Sequence, residues 1–138
     1  MDPLTDVQII PSVCNDGRGV SVFSTRKIDL SGTNARRLSE QQAACNFRLR
    51  KSDKHYAADW HVAGDPTLLI ILTGTLRISL RNGEQHDIHA GQLFIAEDYL
   101  LPDVEFIQDH HGHRAEVIGE RTLSALHLKL AKRTELSR

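Results

Sequence analysis

From Cys45 onward the hydrophobic and polar positions fall into short, regular rhythms. Cys45, Phe47 and Leu49 alternate with Asn46, Arg48 and Arg50, the period of two expected of a strand with one buried face. Leu68-Leu69-Ile70-Ile71-Leu72 is apolar without interruption, too short for a globular helix, and bounded by Pro66 and Gly74. It reads as a strand buried on both faces. Beyond Gly74, Leu76, Ile78 and Leu80 alternate with Arg77, Ser79 and Arg81 as far as Asn82-Gly83. That pair is favoured in a two-residue hairpin turn because both positions tolerate positive φ. A return strand over Glu84 to His89, a turn at Ala90-Gly91 and an apolar strand at Leu93-Phe94-Ile95 follow. After a polar, His-rich loop, Leu126, Leu128 and Leu130 alternate with His127 and Lys129 in a last strand, with the apolar set again expected to face inward. Many short strands, regular turns and no long helical period predict an all-β sandwich or barrel.

The first 42 residues carry weaker patterns. Gly17, Gly19 and Gly32 interrupt brief apolar stretches, so short strands and loops are expected. The segment from Asn34 to Ala44, rich in Arg, Glu, Gln and Ala, predicts one short helix capped by Thr33 or Asn34. At the other end Lys132 to Arg138 has the polarity of a solvated tail. The double-faced apolar run at Leu68 to Leu72 also implies self-association, because a small barrel wall covers only one of its faces from within. A homodimer is expected.

Composition narrows the function classes. A chain of 138 residues suits one domain, residues 1–138 with a barrel core at roughly 45–130. The 17 Lys and Arg nearly balance the 18 Asp and Glu, so no overall field draws nucleic acid or an anionic membrane surface. Cys14 and Cys45 match no metal or redox spacing and are too few for a secreted disulfide scaffold, which makes a reducing, cytoplasmic setting the expectation. No run of apolar residues reaches the length of a membrane span, and no nucleophile elbow, phosphate loop or dinucleotide fingerprint is present.

Three short motifs sit at defined places in this strand pattern: Trp60-His61 before the buried strand, Ala96-Glu97-Asp98 after the second apolar strand, and Gly112-His113 beyond it. Over roughly Cys45 to Leu130 the chain resembles a cupin, the double-stranded β-helix or jelly-roll barrel of the RmlC-like superfamily. It is most similar to small, uncharacterised members with this same outline. The resemblance implies a jelly roll preceded by an N-terminal extension. In the cupin pattern two histidines and a glutamate precede a glycine, and a later glycine-rich turn leads to another histidine; these four side chains commonly hold a divalent metal. Here Gly74 takes the place of the closing glycine, Thr67 stands where the glutamate falls, and Glu97 stands where a proline follows Gly91. The metal motifs are therefore degenerate.

The candidate ligand-binding residues are Trp60, His61, Glu97 and His113, with either Glu97 or Asp98 able to project a carboxylate into the barrel. Neutral imidazoles suit Zn, Fe, Ni or Cu, so His61 and His113 are the first candidate metal ligands, with His55 and His111 behind them, and a divalent Fe, Mn, Ni or Zn is the metal expected. Trp60 offers a flat wall for a planar ligand or simply packs in the core. The histidines at 110 and 111 suit a solvated loop at the barrel mouth, and His86, His89 and His127 read as structural strand residues. No catalytic residue is assigned. Two functions follow: a small-molecule-binding cupin without strong catalytic activity, or a metal-dependent cupin enzyme of dioxygenase, isomerase or lyase type acting on a small organic acid or sugar-like substrate.

Overall fold

In a computed structural model the chain is described over residues 4–131, and the expected tail lies outside the described residues. Ten strands make up the fold: β1 (Leu4–Asn15), β2 (Ser21–Thr33), β3 (Arg36–Leu38), β4 (Ala44–Ser52), β5 (Thr67–Thr73), β6 (Thr75–Ser79), β7 (Gln85–His89), β8 (Leu93–Ala96), β9 (Arg114–Ile118) and β10 (Leu123–Leu130). Seven form one sheet in the order β3-β2-β1-β8-β5-β10-β4, and three form a second in the order β7-β6-β9. All neighbours are antiparallel except β1 and β8, which run parallel through Ser12–Ile95 and Val13–Ala96. The all-β jelly roll expected from the sequence is the fold observed. No described helix is long and apolar enough to cross a membrane.

The main core lies between the two sheets. Val13, Leu69, Ile71, Phe94, Leu123 and Ala125 descend from the large sheet onto Leu76, Ile78, Leu80, Ile88, Ala115 and Val117 from the small one. Burying aliphatic side chains of this size stabilises by roughly 1.5–3 kcal/mol each, less what the unfolded chain already buries. The expected N-terminal extension is not a set of short pieces. β1 and β2 pair over twelve positions, from Leu4–Gly32 to Asn15–Ser21, and β1 then joins the barrel wall through β8. The expected helix at Asn34 to Ala44 is absent: residues 34 and 35 turn, β3 pairs back onto β2 through Ser31–Leu38, and the remainder up to β4 is irregular. Ladder bonds along the β2 edge outweigh a weak helix propensity in a segment without an apolar stripe to bury.

The hairpin between β6 and β7 also differs in detail from the expected two-residue turn. Leu80 N donates to Glu84 O at 2.9 Å and Gly83 N to Leu80 O at 3.1 Å, which leaves three residues in the loop. Gly83 alone takes positive φ, at 93°, and Asn82 keeps an ordinary backbone. This is a type I turn closed by a left-handed glycine, the usual three-residue hairpin.

The largest departure concerns which face of a strand points inward. Across β10 the pairs Leu126–Leu49 and Leu128–Phe47 lie on one face, and His127–Arg48 and Ala125–Arg50 on the other. Ala125 is in the main core, so Arg48, Arg50, His127 and Lys129 face the interior while Phe47 and Leu49 point outward, 64% and 70% exposed. The apolar sets at Cys45, Phe47, Leu49 and at Leu126, Leu128, Leu130 are therefore the outer faces, the reverse of expectation. A three-stranded sheet of five-residue strands cannot roof a seven-stranded one, and the interior beneath the β4 and β10 end is left open to water. In β5, Leu69 and Ile71 enter the core, whereas Leu68 joins an outer cluster with Ile10, Ile95 and Leu130 and Leu72 is exposed.

Candidate functional site

At this open end the interior becomes a cavity of about 180 Å³. Leu69, Leu76 and Ile78 line its floor, and His61, His113, Arg50, His127 and Lys129 line its polar side. It shares Arg50, His61 and His127 with a shallower groove that Arg48 and Tyr56 flank.

Two of the expected residues meet here. The segment around His61 pairs with the start of β9: His61 N donates to His113 O at 2.9 Å, and His113 N donates to His61 O at 2.8 Å. The approach needs a glycine beside it. Gly112 has φ of 86°, and a Cβ there would sit 2.6 Å from His61 O. The two rings stand with centroids 4.6 Å apart. His61 Nδ1 lies 2.6 Å from Asp59 O, and since a carbonyl only accepts, Nδ1 carries the proton and Nε2 keeps its lone pair. Desolvation, reinforced by the neighbouring His113, pulls the His61 pKa below its ordinary value against the opposing pull of the Asp59 carbonyl.

His113 is oriented from behind by Asp98. The carboxylate, fully buried, accepts from His113 Nδ1 at 2.7 Å, from Ser21 Oγ at 2.7 Å and from Ala63 N at 2.9 Å. Burial alone would raise its pKa, but the hydrogen bond and charge of His113 and the bonds from Ser21 and Ala63 outweigh burial and hold it below the usual carboxylate range. An ionised Asp98 fixes the Nδ1–H form of His113, leaving Nε2 as its free nitrogen.

Of the two carboxylates considered, Asp98 and not Glu97 turns inward, as strand alternation from the inward Ala96 requires. Glu97 projects to the opposite face and accepts from Arg26 Nε at 2.9 Å, both side chains nearly fully buried. Trp60 does not line the cavity. Its ring stacks on the Arg81 guanidinium at 3.8 Å, and Arg81 donates through Nη2 to His111 O at 2.8 Å. His111 is buried, contrary to the expected solvated loop, because its Nδ1 accepts from Ile107 N at 2.9 Å and ties the loop down. His55 stands exposed beside Glu120, 3.9 Å away, and away from the cavity. His61 and His113 thus supply two nitrogen donors. Among the described residues no group of three His, Cys, Asp or Glu side chains gathers closely enough to hold a metal ion, and the nearby Arg50 and Lys129 carry the wrong charge for one. The residues present do not fit a metal held by three or four side chains.

Arg48, Arg50, His127 and Lys129 are the site residues that sequence reasoning misses. Their signal is present as the polar half of two alternating strands, but alternation alone assigns the apolar half to the interior. His127, which reads as structural in the sequence, instead has its Nε2 buried without a hydrogen-bond partner among the described residues. Burial, with Arg50, Lys129 and Arg48 nearby, pushes its pKa down to about 4. Arg50 is braced by its Nε bond to Ser52 Oγ at 3.0 Å and lies 5.7 Å from the Tyr56 ring centre. Lys129 Nζ donates to Thr67 Oγ1 at 2.8 Å.

No family model matches the chain, and no curated protein matches it. Similar solved structures include a cupin-2 domain containing protein from Shewanella frigidimarina, 18% identical over 61% of this chain and 68% of that one, with a TM-score of 0.43. A cupin superfamily protein from Desulfitobacterium hafniense is 13% identical over 89% of this chain and 77% of that one, TM-score 0.39. A putative ethanolamine utilization protein Q from Salmonella typhimurium is 14% identical over 93% and 99%, TM-score 0.42.

Proposed function

We propose that this protein is a small-molecule-binding jelly roll of the cupin type that holds its ligand in the cavity between the sheets without transforming it. The observation that carries the reading is the cavity itself, with an apolar floor and a few convergent polar groups on one side, the usual make-up of a ligand site. The two Nε2 atoms of His61 and His113 accept hydrogen bonds from a hydroxyl or N–H of the ligand. The one hydroxyl lining the cavity among the described residues, that of Thr67, lies 3.0 Å from Asp65 O and receives Lys129. It is poorly placed to act as a nucleophile.

The Asp98–His113 pair favours a second reading, an enzyme in which His113 Nε2 exchanges a proton with substrate while Asp98 orients the ring. The metal-dependent form of that reading needs ligands beyond the two histidines. Thermal-shift screening of untagged protein against small organic acids, alcohols and sugars, with elemental analysis of the same preparation, separates the readings. Stabilisation by a compound recovered unchanged, without stoichiometric metal, supports the binder. Turnover of that compound, or stoichiometric Fe, Mn, Ni or Zn, overturns it.

We also propose that a second copy of the chain covers the outward apolar face of β4, β10 and β5, making a homodimer.

A further inference from the structure

The charged side chains that line the cavity are of one sign. Arg50 and Lys129 line it, Arg48 flanks the groove into which it opens, and neither lining contains an Asp or Glu. None of the three cations forms an ion pair among the described residues. Asp98, the nearest carboxylate, is spent on His113, Ser21 and Ala63. Among the described residues only one Arg50 nitrogen, Nε, is bonded, to Ser52, so the outer edge of the guanidinium presents two parallel N–H groups.

Arg50 and Lys129 are half-buried and line one cavity, and like charges sharing a partly closed space cost free energy that a protein with matched charge elsewhere has no need to accept. Burial lowers the Arg50 pKa, and burial together with the same cations depresses that of His127. An anion at this spot relieves both, and it gives the planar guanidinium the two-oxygen partner its geometry matches. The opposite side of the cavity is aliphatic.

We infer that the ligand of this cavity is a small organic anion, its charged head held by Arg50 and Lys129 with Arg48 at the entrance, and its apolar body on Leu69, Leu76 and Ile78. This rests on the binding reading above and adds the chemical class of the ligand. A carboxylate and a phosphate monoester share that chemistry, and the experiment distinguishes them.

The test is calorimetric titration of the full chain at neutral pH and low salt with hexanoate, hexyl phosphate and the neutral hexanamide. At least one anion should bind about tenfold more tightly than hexanamide, the scale of a charge-assisted hydrogen bond. Its affinity should fall as salt is added, and the tighter of the two anions names the head group. Arg50→Gln and Lys129→Gln should each remove about tenfold of the anion affinity, weaken hexanamide binding by much less, and keep or raise the melting temperature. Equal binding of the anions and hexanamide, or anion binding indifferent to both substitutions, overturns the anionic class while leaving a binding cavity. Failure of all three probes at millimolar concentration overturns the binding reading together with the inference.

Discussion

At the scale of single residues, burial and neighbouring charges shift the ionisation of Asp98, His61, Arg50 and His127. His127 is the clearest. Its pKa of about 4 lies below the ordinary 6.5, so between those values the unfolded chain takes up a proton that the folded chain resists. Its neutral form is compatible with the fold above pH 6.5, and stability falls as pH drops from 6.5 toward 4. The groups that face it are Arg48 and Arg50 from β4, Lys129 on its own strand, and His61 across the cavity. Urea midpoints measured from about pH 7 to about pH 4.5 should decline less steeply in His127→Gln than in the wild type; parallel curves would mean that His127 is solvated. His61 differs, since one side of its ring is desolvated against His113 while the residue as a whole stands exposed at the mouth. His61→Ala should weaken binding of the best small ligand while the melting temperature stays within a few degrees. A large loss of stability with unchanged affinity would make His61 a packing residue instead.

At the scale of elements the β6–β7 hairpin separates backbone strain from side-chain bonding. Gly83 sits at φ of 93°, and a Cβ added there would meet nothing within 4 Å, so Gly83→Ala costs only the left-handed conformation, about 1 kcal/mol. Asn82 contributes through its side chain, accepting from Glu84 N at 2.9 Å at an exposed site, and Asn82→Ala should cost about 0.5 kcal/mol. Thermal or urea unfolding gives both values. A larger loss for Asn82→Ala than for Gly83→Ala would contradict the three-residue loop.

The pairing of β4 with β10 and β10 with β5 fixes which residues line the site. Leu126 stands between Leu49 and Ile70, and Leu128 between Phe47 and Leu68. One register therefore sends this whole apolar group outward and the cations inward, since a strand's two faces move together.

For the whole molecule, the consequence is an apolar patch on the outside of the large sheet, with Phe47 and Leu49 exposed and Leu68, Ile70, Leu126 and Leu128 half-buried beside them. Contiguous apolar surface of this kind is uncommon on monomers. A two-fold pairing of the patch on itself covers it with no further component, since the same rows meet on both sides. Sedimentation at micromolar concentration should give a dimer, and Phe47→Glu with Leu49→Lys should give a folded monomer. A monomeric wild type would leave the patch to another partner.

Alternation, uninterrupted apolar runs and turn residues were enough to read an all-β sandwich or barrel from β4 onward, because those signals are local; the jelly roll came from the resemblance to cupins. That resemblance also set His61 beside Glu97 or His113, and of the two it is His113 that pairs with it. The pairing of β1 with β2 was not legible, since its partners lie up to 28 residues apart (Leu4 with Gly32) and the segment alternates weakly.

The sequence by itself determined that β4, β6 and β10 each have one apolar and one polar face. Only the tertiary structure decided which face is inside, because that depends on how far the smaller sheet extends over the larger. Where the cover ends, the interior opens toward solvent, and the polar half of each strand, Arg48, Arg50, His127 and Lys129, turns to the cavity there while the leucines pack in rows outside. The same cause hid the four cationic or basic residues of the site and exposed the patch beside them.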